Sequence, residues 1–71
     1  MKMTAIFEKL SDGYLAFLEE FPGASAQGAT LEEARENLCV AVELVIYANR
    51  LLSEELVQNR PVLREPFRPA E

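Results

Sequence analysis

No histidine occurs among the 71 residues of this chain, and Cys39 is its single cysteine. The missing histidines remove the usual general base at neutral pH. They also leave a structural zinc site without enough ligands, since zinc takes several Cys or His side chains. One cysteine excludes a disulfide within the chain. Long apolar runs are missing too: none approaches the ~20 residues that span a bilayer. No signal peptide precedes the first expected strand. With a single free thiol, this pattern fits a reducing cytoplasm. Positive charge is scarce, with 7 Lys and Arg against 12 Asp and Glu for a net charge of −5. Phosphate binding depends on Lys and Arg displacing counterions, so direct DNA binding is not expected. An acidic body suits basic partners instead.

Apolar residues make up 49% of the chain and recur with clear periodicity, which marks a folded domain. A single domain is expected over residues 1–71. It is small for burying a self-sufficient core, and such chains add a disulfide, a metal or an oligomeric interface. With the first two excluded, self-association is the structural default.

Met3 to Lys9 and Gly13 to Glu19 read as two strands, the second dense in Tyr14, Leu15, Ala16, Phe17 and Leu18. Ser11-Asp12-Gly13 between them favours a tight hairpin turn. Asp12 as a metal ligand or general acid is the weaker reading, because no second turn carboxylate stands beside it. Phe21-Pro22-Gly23 favours a type II turn. Ala24 to Gly28 would add a third strand and complete an antiparallel meander. Gln27 and Gly28 could present an amide and a close approach to a ligand; a strand end feeding the helix is the more economical reading.

Thr30-Leu31-Glu32-Glu33 matches a capping box, with the Thr30 hydroxyl accepting from the Glu33 N–H while the Glu33 carboxylate reaches back. Glu32, Glu33 and Glu36 lie where the helix dipole favours negative charge, so they need no metal or acid–base role. Leu31, Ala34, Leu38, Ala41, Val42, Val45, Ala48 and Leu52 then form one apolar stripe. Leu44, Ile46, Tyr47 and Leu51 add more apolar surface than one buried face requires, and the excess suits a partner or a second copy. Cys39 reads as a packing residue, having no histidine to activate it.

Ser53-Glu54-Glu55 could cap a second short helix through Val57 or continue the first. Asn59-Arg60-Pro61 should stop it, since a residue before proline avoids the helical region. Val62 to Glu65, followed by Pro66, reads as a short closing strand or an extended arm over residues 60–71. Arg60, Arg64 and Arg68 make the tail locally basic, partly offset by Glu65 and Glu71; a protein-facing or solvated arm is more economical than an RNA contact.

The expected fold class is α+β: a three-stranded antiparallel meander, one long helix packed on the sheet and a short C-terminal strand. Gly13, Pro22, Gly23, Gly28, Thr30 and Glu33 serve the turns and the cap. No catalytic residue, metal site or cofactor site emerges, and the chain reads as a non-enzyme. Tyr47, Leu51, Val62, Leu63 and Arg64 are the candidate partner or oligomer contacts.

Gly13-Tyr14-Leu15-Ala16, Phe21-Pro22-Gly23, Gln27 to Ala34, Asn37-Leu38 and Ala41, taken in order, resemble the HicB-type antitoxin pattern. Arg64-Glu65-Pro66 is similar to the closing strand of its short members. The resemblance covers nearly the whole chain. It implies a β-β-β-α-β domain similar to a partial RNase H-like or double-stranded-RNA-binding-like fold. It also implies a toxin–antitoxin module whose partner is a HicA-type toxin, a small basic mRNA interferase with a catalytic histidine. The antitoxin would act by covering the toxin's RNA-binding or catalytic face. Many such antitoxins carry a further DNA-binding domain that represses their own operon; the sequence ending at Glu71 leaves no room for one, which puts autoregulation by this chain in doubt. An orphan homo-oligomeric adaptor is the alternative. An RNase H-like nuclease would need converging carboxylates, with Glu8, Asp12 and Glu19 as the candidates.

Overall fold

Two alternating strands joined by a tight turn start the chain, and a third closes the sheet before the helix. The computed structural model describes residues 2–69; residues 1, 70 and 71 of the expected domain and arm lie outside the described residues. The element order is β1 (Ala5–Leu10), β2 (Gly13–Leu18), β3 (Ser25–Gly28) and α1 (Leu31–Val57). The strands form one antiparallel sheet in the order β1-β2-β3. The expected meander and long helix are therefore present, in an α+β fold.

Leu10 pairs with Gly13, so Ser11 and Asp12 alone make the hairpin turn. The next turn depends on Gly23, whose φ of 99° is a backbone conformation that a side chain disfavours. Pairing of Phe7 with Ala16, and of Ala16 with Ala26, sets these side chains on one face. That face receives the helix: Ala16, Ala34 and Leu38 are buried, with Phe7, Tyr14, Leu18, Ala26 and Val42 packed around them. Ile6, Leu15 and Phe17 fall on the opposite face by the same alternation, each half-buried.

The helix approaches the sheet closely because the contact residues are small. A Cβ on Gly28 would collide with the backbone nitrogen of Ala34, so the first helical turn rests against β3 itself. Asn37 Nδ2 donates to the Gln27 carbonyl oxygen at 2.8 Å, tying the second turn to the same strand. The Arg35 guanidinium lies 5.3 Å from the centre of the Phe7 ring and covers that side of the contact.

Thr30 caps the helix as its sequence predicts, its Oγ1 accepting from the Glu33 N–H at 3.1 Å. The Glu33 carboxylate reaches one residue further back than the simple box, accepting from the Ala29 N–H at 2.8 Å. The helix then runs without interruption through Ser53-Glu54-Glu55 to Val57. Gln58 ends it with a φ of 39°, its N–H donating to the Glu54 carbonyl at 2.9 Å. Residues 61–69 belong to no strand; they follow the helix as an arm.

At ~1.5 Å per residue, the 27 residues of α1 extend about 40 Å. A strand of six residues spans only about 20 Å. Half the helix therefore overhangs the sheet, and the chain measures 51 × 27 × 14 Å. The core that results is slight. Ala16, Ala24, Ala34 and Leu38 are its buried apolar residues among those described. Leu38 is the one large side chain of the four, and its burial contributes roughly 1.5–3 kcal/mol.

Candidate functional site

Two causes leave apolar side chains of the helix in solvent: one stripe faces away from the sheet, and past Val45 the sheet-facing stripe has run beyond the strands. Tyr47 is 62% exposed and Leu51 53%. With Val40 and Leu44, also exposed, they repeat at steps of four, three and four residues along one side of the helix. Leu52 and Leu56 continue the sheet-facing stripe past the end of the sheet and are exposed as well.

The arm presents the other candidates. Val62 is about half exposed, while Leu63 and Phe67 stand almost free at 85% and 86%. Arg64 Nη2 lies 3.2 Å from Glu54 Oε1, with both side chains largely exposed, so the arm is held near the helix end. Arg60 closes the helix, its Nε donating to the Val57 carbonyl at 3.4 Å and its Nη2 to that of Leu56. Two of the three tail arginines are thus engaged with the end of the helix, where its dipole favours positive charge. Tyr47 and Leu51 stand on the helix, and Val62, Leu63 and Arg64 on the arm, so the candidates form two neighbouring patches.

The residues assigned to turns and capping divide between the two ends of the sheet: Gly13, Gly28, Thr30 and Glu33 stand at the hairpin end, and Pro22 and Gly23 in the turn between β2 and β3 at the other. Gly13 and Gly28 lie on adjacent strands beside a depression of about 250 Å³ that Asp12 and Gln27 also line. The Gln27 carbonyl is already taken by Asn37. Glu8, Asp12 and Glu19 do not converge: Asp12 sits at the hairpin turn, Glu8 partway along β1, and Glu19 pairs with Thr4 at the opposite end. Among the described residues, no three His, Cys, Asp or Glu side chains are grouped to hold a metal ion.

A groove of about 370 Å³ runs between β1 and the helix, lined by Met3, Ala5, Leu18, Leu38, Cys39 and Val42 among others. Sequence reasoning did not find it. The signal was Cys39, which lies off the buried stripe and is exposed. No helix among the described residues is long and apolar enough to cross a membrane.

A family model described as UPF0150-like matches residues 2–55, which takes in the sheet and nearly all of the helix but stops short of the arm. A UPF0150 protein of Synechocystis is 44% identical over 46 residues, or 63% of this chain and 64% of that protein. A UPF0150 protein of Helicobacter pylori is 39% identical over 56 residues, covering 79% of this chain and 75% of that protein. The chain thus spans a little under two thirds of the first relative and three quarters of the second. No solved structure matches it.

Proposed function

The chain belongs to the UPF0150-like family, and from that premise we propose that it is a binding module of the HicB antitoxin type. In this reading it neutralises a HicA-type mRNA interferase by covering the toxin's RNA-binding or catalytic face. The observation that carries the proposal is apolar surface left open on an acidic chain: Val62 and Leu63 on the arm are exposed, and the net charge is −5. A small basic toxin fits both properties. Charge of opposite sign speeds the encounter, and apolar contact holds the complex. Arg64, exposed at the helix end, adds a donor that pairs readily with carboxylates. The chain contributes no chemistry of its own; it acts by occupying a surface.

The resemblance in Gly13-Tyr14, Phe21-Pro22-Gly23 and Gln27 to Ala34 supports this choice of partner. Co-expression with the small open reading frame beside the gene tests it. A stable complex that co-purifies and rescues growth from that protein's toxicity is the expected outcome. Failure of any neighbour to bind would transfer the proposal to the second reading, an orphan homo-oligomeric adaptor. The slight core favours that reading, since so small a set of buried residues needs support from another chain.

A further inference from the structure

We infer that the outer stripe of the helix, Val40, Leu44, Tyr47 and Leu51, is covered by the same stripe of a second copy, in an antiparallel pair centred on Tyr47. This holds whether or not a toxin partner exists. The first argument is area. The chain exposes 6102 Å², against about 4,500 Å² expected of a folded monomer of 71 residues. The excess of about 1,600 Å², which the overhanging helix shares with the arm, is about twice what each partner gives to a standard interface.

The second argument is charge. Glu43 lies one turn before Tyr47 and Arg50 one turn after, both exposed and on the same flank of the stripe. A two-fold axis at Tyr47 therefore sets Glu43 of each copy opposite Arg50 of the other. It also packs Leu44 of each copy against Leu51 of the other. A closed, self-complementary pair requires such an arrangement, whereas a basic partner protein would meet Arg50 with repulsion.

The arm and the outer sheet face, with Ile6, Leu15 and Phe17, stay open for a partner of another kind.

Sedimentation or light scattering of the full chain tests the pairing. Wild type should show twice the chain mass. Glu43→Arg alone and Arg50→Glu alone should each shift the chain towards single mass, and the two substitutions together should restore the pair. Leu44→Glu with Leu51→Glu should abolish it. Because Glu43 and Arg50 are exposed, their reversal leaves the fold intact even if the leucine variant fails to fold. A wild-type chain that is monomeric and fully helical would overturn the inference. So would a dimer indifferent to both charge reversals, or a double reversal that restores nothing.

Discussion

Leu38 and Leu52 stand about four turns apart on nearly the same side of one helix, yet Leu38 is 4% exposed and Leu52 57%. The side chains are identical and the backbone is continuous. What differs is the sheet, which lies beneath Leu38 and has ended before Leu52. The architecture thus divides the helix into a half that completes a domain and a half that projects from it. The proposed functions follow from the projecting half and the arm beyond it.

Removal of the helix cap provides a direct check on the scaffold. Thr30→Ala leaves the Glu33 N–H without its acceptor, and stability should fall by about 1 kcal/mol. Denaturation curves that coincide with wild type would show that the first turn is held by its packing on β3 alone.

Gly28→Ala should cost more, about 1–3 kcal/mol or failure to fold, because the added methyl meets backbone on the first turn of the helix. Gly23→Ala probes conformation instead of space: nothing lies near its side-chain position, so any loss comes from the positive φ. Comparing the melting temperatures of the two variants separates close packing from backbone strain.

The pH dependence has a named contributor. The Thr4 N–H donates to Glu20 Oε1 at 2.6 Å, and this backbone hydrogen bond holds the carboxyl below its ordinary range. A carboxylate with a lowered folded-state pKa stabilises the fold above its unfolded value, and that contribution is lost as pH falls through the folded value. Acid titration of wild type should show this loss below the usual carboxylate range. Glu20→Gln should flatten the profile there, and an unchanged profile would remove Glu20 from the account.

Arg64→Ala separates a structural role from a binding one. Its pair with Glu54 is exposed on both sides, and such pairs contribute about 0–1 kcal/mol. The melting temperature should barely move, while capture of the neighbouring small protein weakens. Removing residues 60–71 should have the larger effect on that capture. If binding and association state are both unchanged, the contacts assigned to Val62, Leu63 and Arg64 are wrong.

Much of the scaffold was legible because local chemistry dictates it. Ser11-Asp12-Gly13 marked the hairpin, Pro22-Gly23 the second turn and Thr30-to-Glu33 the start of the helix. The helical stripe was legible as a period, but its burial was not. Ala34 and Leu38 are buried, and Ala41, Val42 and Val45 half-buried, whereas Leu31, Ala48 and Leu52 are exposed. Periodicity reveals which residues share a side of a helix; how much sheet lies beneath them depends on strand length and tertiary placement. The tail was ambiguous for a related reason. Val62-Leu63 has the composition of a strand, but a strand needs an edge to pair with, and the helix carries this segment away from its own sheet. The exposed candidates Tyr47 and Leu51 were singled out as surplus apolar surface, which is how the structure presents them.

If the chain silences a partner by covering it, a cleavage titration will show it. Purified chain would be added in increasing ratio to the small basic protein encoded beside it, with cleavage of an RNA substrate as the readout. Occlusion predicts that cleavage falls in proportion to added chain and stops at a fixed stoichiometry. Cleavage that continues undiminished at excess chain, with the neighbouring protein active and the chain folded, would contradict it.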